Sequence, residues 1–187
     1  MMHPFKKEKT SGQSTARSAI SLPTVAITTE SLSDRRRCIK AAVTVPGSLE
    51  QVWTLLTDYD RLSDFIPNLT LSRRISHPEQ GIRLEQVGSQ CFLNIKFCAR
   101  VVLDMVEQFP HRLDFNMVEG DFKDFAGFWS LETLDSPEGP ITRLGYELTI
   151  RPPRAVPVHL IERHLSRDLT QNLQAICQQA TVAFAPA

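Results

Sequence analysis

ITRLGYELTIR (residues 141–151), PPRAVP (152–157) and VHLIERHLSRDLTQNLQAICQQATV (158–182) follow one another directly, and the hydrophobic period changes between the first and the last. In the first, Leu144, Tyr146, Leu148 and Ile150 alternate with Arg143, Glu147 and Thr149. A period of two sets one side of a strand against a core and the other in water. Pro152 and Pro153 stop that strand because neither has a backbone N–H to give to a ladder. Pro157 stands where a helix can begin, and Val158, Ile161, Leu165, Leu169, Leu173, Ile176 and Ala180 then recur at steps of three and four. Glu162, Arg163, Arg167, Asp168 and Gln171 are expected on the face toward water. At ~1.5 Å per residue the helix from Pro157 to Val182 reaches roughly 35 Å, as far as a strand of about ten residues, so it can lie along a whole concave sheet.

The sheet is expected upstream. Strand-like segments run over Thr70–Ser76, Ile82–Phe92, Ile95–Phe109, Arg112–Gly120, Phe125–Leu134 and Ile141–Arg151, with Pro and Gly in their short connections. No connection is long enough for a crossover helix, which predicts antiparallel pairing. Phe97, Ala99, Val101, Leu103 and Met105 share one face, against Arg100, Val102 and Asp104 on the other. Leu113, Phe115 and Met117 likewise oppose Arg112, Asp114 and Asn116. Neighbouring strands with one apolar face each describe a sheet covered on one side.

The first strand begins at Arg35, where Ile39, Ala41, Val43 and Val45 alternate with Cys38, Lys40, Ala42 and Thr44. Pro46-Gly47 breaks it, Ser48 can cap a helix carrying Val52, Trp53, Leu55 and Leu56, and a second short apolar pattern, Tyr59, Leu62, Phe65 and Ile66, ends at Pro67. Residues 1–34 are Ser- and Thr-rich with Lys6, Lys7, Lys9 and Arg17 and no hydrophobic periodicity, and read as a disordered extension ahead of one domain over 35–183. An organelle transit peptide is the alternative for that extension.

Val52-Trp53-Thr54-Leu55-Leu56-Thr57-Asp58-Tyr59 followed by Phe65-Ile66-Pro67-Asn68-Leu69 resembles the helical entry of the polyketide cyclase and dehydrase family, whose relatives include the coenzyme Q-binding proteins. Val118-Glu119-Gly120-Asp121-Phe122-Lys123-Asp124-Phe125 leading to Gly127 and Trp129-Ser130-Leu131 is similar to the matching hairpin there. The likeness spans about Arg35 to Val182 and places the chain in the START-like, helix-grip (SRPBCC) superfamily. It implies an α+β fold in which a curved antiparallel sheet of about seven strands wraps a long C-terminal helix, with two short helices after the first strand. It also implies a wedge-shaped apolar cavity between sheet and helix. This scaffold hosts carriers, sensors and enzymes alike.

The expected pocket residues are Phe65, Leu84, Phe97, Val101, Leu103, Phe115, Met117, Phe122, Phe125, Trp129, Tyr146, Leu148, Ile161, His164, Leu165 and Leu169. Trp53, Phe65 and Pro67 also suit plain core. Phe122 and Phe125, in a Gly-bounded turn among charges, read equally as a gate or as packing. Asp58 reads as a cap, and His164 as either a helix-flank residue or one that reaches the pocket.

Catalytic machinery is not apparent: no Ser–His–acid set, HExxH, metal-ligand cluster or nucleotide-binding glycine motif occurs, so no catalytic residue, metal or cofactor is assigned. Twenty-one Lys plus Arg balance 21 Asp plus Glu, so charge recruits neither nucleic acid nor an acidic membrane. No segment approaches the ~18 apolar residues of a spanning helix, which leaves transient membrane contact open. Cys38, Cys91, Cys98 and Cys177 lack CxxC spacing and read as reduced, small apolar residues of a cytoplasmic protein. The first functional expectation is binding or transport of a lipid, quinone, isoprenoid or pigment. The alternatives are a cyclase or dehydratase using His164, Tyr146 and Glu107, and a ribosome- or protein-associated module with a basic rim at Arg35-Arg36-Arg37 and Arg73-Arg74.

Overall fold

A computed structural model describes residues 22–92, 95–137 and 139–185, with the side chains of residues 89–97 and 161 outside that description. Eight strands among the described residues form one antiparallel sheet: β1 (Ala26–Ser31), β2 (Arg37–Pro46), β3 (Leu69–Ile75), β4 (Ile82–Phe92), β5 (Ile95–Gln108), β6 (Arg112–Gly120), β7 (Asp124–Leu134) and β8 (Ile141–Arg151). Their order across the sheet is β1-β2-β8-β7-β6-β5-β4-β3. From β3 to β8 sequence neighbours pair, as the short turns require, and β8 then closes against β2. Helix α1 (Leu49–Thr57), a single 3-10 turn (Tyr59–Arg61) and α2 (Leu62–Phe65) separate β2 from β3, and α3 (Val158–Ala183) ends the fold.

The sheet has eight strands rather than about seven, and the additional one lies in the stretch expected to be a disordered tail. Ala26–Ser31 pairs along β2 from Ala26↔Ala42 to Ser31↔Arg37. Only Ile27 among its six residues is a large aliphatic, so no apolar alternation marks it. Its backbone ladder to β2 and contacts with α3 hold it. Residues 1–21 lie outside the described residues.

Local chemistry sets the entry to the helices. Gly47 takes a φ of 115°, and a Cβ there would sit 2.7 Å from the Phe184 ring. Ser48 then caps α1, its Oγ accepting from the Gln51 N–H while the Gln51 side chain accepts from the Ser48 N–H. α3 lies chiefly on β2. One core joins the inward residues of β2 (Ile39, Ala41, Val43, Val45) to Val52, Trp53 and Leu56 of α1 and to Leu173, Ile176, Cys177 and Ala180 of α3. A second, smaller cluster has its buried members, Val101, Leu103, Phe115, Leu148 and Ile150, on the sheet, with Leu165 of α3 and Phe122 packed against it. Between that cluster and the first turns of α3 the packing opens.

Candidate functional site

The opening is an apolar cavity of about 480 Å³ between the concave face of the sheet and α3. Strand alternation supplies one wall: Leu84, Val101, Leu103, Phe115, Trp129, Tyr146 and Leu148 point inward from β4 to β8. Phe122 and Phe125, at and after the β6–β7 turn, also line the cavity, and α3 contributes His164, Leu165 and Leu169. Those twelve expected residues meet around one space. Phe65 and Met117 do not line it; each is partly buried and packs on a neighbouring core cluster. The side chains of Phe97 and Ile161 lie outside the described residues.

Several lining residues had no sequence signal as such. Leu56, Tyr59, Leu62, Ile66 and Leu69 come from the short helices and the start of β3, and look like ordinary helix core by periodicity. Ala155, Val156 and Pro157, in the β8–α3 connection, also face the cavity. Arg35 holds that connection by donating to the carbonyls of Pro153, Arg154 and Val156, at 2.7 Å for the last. Asp168 corrects the reading of α3. It was expected on the water face, yet it is buried and lines the cavity. Leu160, His164, Asp168 and Asn172 recur every four residues, a row beside the apolar stripe. A wide cavity takes in both rows, whereas a tight core would take only the stripe.

The rings form a connected group. Tyr146 stacks on Phe115 at 5.7 Å and 20°, and meets Trp129 at 4.4 Å. Phe125 meets Phe115 at 5.8 Å and Phe122 at 5.5 Å. Phe122 and Phe125 therefore pack in this row and line the cavity together. Trp53 is core, edge-on to Phe109 at 5.3 Å. Asp58 is the C-cap residue of α1, its carboxylate exposed beside Arg61 at 3.7 Å.

The polar groups at the wall are few. Tyr59 donates to Glu107 Oε1 at 2.7 Å, and burial, reinforced by that bond, pushes its phenol far above the ordinary range. Glu107 is thereby committed to Tyr59 and is not among the lining residues. Asn68 donates to Gln171 at 3.1 Å and Asn172 at 3.3 Å, tying the α2–β3 link to α3, and Gln86 donates to Ser72 at 3.1 Å. Burial alone raises the Tyr146 phenol. Burial also pushes the Cys177 thiol up to about 11, leaving it an unreactive thiol at neutral pH. Of the cysteines expected to be small apolar residues, Cys38 and Cys177 are buried and Cys98 is exposed; all three are free. Among the described residues no group of three His, Cys, Asp or Glu side chains could hold a metal ion.

An internal apolar space under a sheet-gripped helix sets the expectation for comparison with known families. The family model described as polyketide cyclase / dehydrase and lipid transport matches residues 45–177, well over half of the chain. The chain belongs to that family. Curated proteins give no significant match. Among solved structures, the Zhui aromatase/cyclase from Streptomyces superposes with a TM-score of 0.68 at 15% identity, covering 80% of this chain and 97% of its own. A START superfamily protein from Mycobacterium smegmatis gives 0.65 at 13%, covering 78% and 98%. A STAR-related lipid transfer protein from Xanthomonas axonopodis gives 0.64 at 11%, covering 86% and 99%. At such identities the likeness establishes the START-like helix-grip fold and no shared ligand. The family match begins at Val45, so β1 and nearly all of β2 lie ahead of it.

Proposed function

We propose that this family member binds a hydrophobic small molecule, a lipid, quinone, isoprenoid or pigment, in the cavity under α3. The observation that carries the reading is the cavity itself: about 480 Å³ walled almost wholly by aliphatic and aromatic side chains. Pockets of ~300–1,000 Å³ with few polar groups suit ligands of this class. Mass spectrometry of protein purified gently from its native host tests it, together with titration of the apolar fluorophore N-phenyl-1-naphthylamine. The expected result is a co-purifying lipophile or 1:1 fluorophore binding that Leu165→Phe, which fills the space, weakens at least severalfold. An empty protein that takes up no apolar probe overturns the reading.

A cyclase or dehydratase is the second reading, because Tyr146 and His164 both reach the cavity. Glu107, engaged by Tyr59, is dropped from its acid–base set. The basic-rim reading gains nothing from the geometry. Arg36 pairs with Asp124 at 3.0 Å, Arg37 with Glu162 at 2.8 Å and Arg73 with Glu85, while Arg74 lies 5.1 Å over the Tyr59 ring. Arginines engaged within the fold are poor candidates for a partner's acidic surface.

A further inference from the structure

Most polar side chains at the cavity wall are already engaged. Tyr59 serves Glu107, Asn68 bridges to Gln171 and Asn172, Gln86 holds Ser72, and His164 and Asp168 each have a partner. Tyr146 differs. Its hydroxyl has no hydrogen-bond partner among the described residues, and burial acts on its ionisation with no bonding contribution. Nor is the oxygen sealed against protein, since Arg151 Nε is the buried side-chain atom left without a hydrogen bond among the described residues. The Tyr146 oxygen therefore meets open space, and the open space on that face of β8 is the cavity.

The ring is held in place. Its backbone pairs with Ala41 of β2 on one side and Trp129 of β7 on the other, and its faces meet Phe115 and Trp129. A donor fixed in apolar surroundings without an acceptor raises the free energy of the empty site, and a ligand oxygen relieves it. We propose that Tyr146 donates a hydrogen bond to the bound molecule, so that the ligand is an apolar compound carrying an accepting oxygen beside the aromatic row, not a plain hydrocarbon. This rests on the cavity reading above and specifies its ligand class.

Two probes of nearly equal shape, 2-acetylnaphthalene and 2-ethylnaphthalene, differ by that oxygen and can be titrated into the wild-type chain and Tyr146→Phe. The expected result is a preference for the acetyl compound that falls roughly 3- to 10-fold in the variant, with binding of the ethyl compound unchanged. The carbonyl stretch of bound 2-acetylnaphthalene should lie at lower frequency in the wild type than in Tyr146→Phe, which a merely structural hydroxyl does not produce. Phe keeps the ring contacts, so the empty variant should melt no lower than the wild type. A clearly lower melting temperature means that the hydroxyl serves the protein and overturns the proposal. If both probes bind but the affinity ratio or carbonyl band is the same in the two proteins, the Tyr146 assignment falls and the cavity reading stands. If neither probe binds the wild type, both fall together.

Discussion

The two halves of α3 carry the same sequence pattern and differ in how firmly they are packed. From Asp168 onward Leu169, Leu173, Ile176, Cys177 and Ala180 are all buried in the core shared with β2 and α1, although Asp168, Leu169, Asn172 and Ile176 also edge the cavity. From Val158 to Arg167 no described side chain is buried: Leu160, His164 and Leu165 border the cavity, and the partly buried Leu165 also touches both core clusters. Periodicity tells which face of a helix turns inward. It does not tell whether protein waits there. A stripe of leucines can close a solid core or roof a hollow one, and this helix does both along its length.

The contrast is broken most directly by removing one leucine from each half. Leu173 is fully buried, so Leu173→Ala should cost about 2–5 kcal/mol, the transfer of its side chain plus the new void. Leu165→Ala enlarges a space that already exists and removes contacts from a half-buried side chain, so it should cost about 1 kcal/mol. Urea denaturation of the two variants measures both. Equal losses would mean that the first half of α3 is packed as tightly as the second, and the cavity would then be no standing feature of the fold.

This division explains what the sequence could and could not show. Alternation along 95–120 and 141–151 marked the strands to within a residue or two, because a half-buried antiparallel strand must separate its apolar and polar side chains. β1 escaped because an edge strand held mainly through its backbone needs little apolar patterning. Twelve of the sixteen expected pocket residues line the cavity because inward-facing positions on several strands converge once the sheet curves. Asp168 was misplaced for the opposite reason. It sits one residue before Leu169, outside the apolar stripe, and only the width of the cavity turns it inward. Tyr59 and the loop residues Ala155 and Val156 depend on how α3 is set over the sheet, which no local pattern encodes.

Acid should separate the two ends of the molecule. Behind the inward Leu84 and Leu103, the outer face of β3 to β5 is held by Glu85 between Arg100 at 2.6 Å and Arg73, and by Asp104 on Arg83 and near His77 at 3.4 Å. Hydrogen bonds from Arg100 and then Arg73 keep the Glu85 carboxyl below its ordinary value of 4.5, and Arg83 keeps Asp104 below 3.8. With folded values depressed, the unfolded chain takes up protons first as pH falls. The contribution of these groups is complete above those ordinary values and is lost as pH drops through the lower folded ones. Glu50 at the start of α1 is also held low by its own backbone N–H and by Ser48, so the solid end is not indifferent. Hydrogen exchange over an acid series should show β3–β5 amides losing protection, and fluorophore binding failing, before the amides of 169–183. The reverse order would place the weaker end at the core.

The smallest effect isolates the tether of the hollow half. Arg37 of β2 donates to Glu162 of α3 at 2.8 Å, with the two side chains 19% and 33% exposed. A partly exposed pair of this kind contributes at most about 1 kcal/mol to global stability, because water competes for both partners and ordering two long side chains opposes it. Its position matters more than its strength. The first half of α3 has no described buried side chain to anchor it, so this ion pair acts beside the partly buried Leu165 and the Arg35 bonds to the preceding connection in fixing that segment over the cavity. Glu162→Gln should therefore leave the urea midpoint within the range of a surface substitution while raising hydrogen exchange in 158–167 and speeding fluorophore release. Amides in 169–183 should be unchanged, since Leu173 and Ile176 hold that half without help from Glu162. If exchange rises equally along all of α3, the helix moves as one rigid body and its two halves differ in packing but not in freedom.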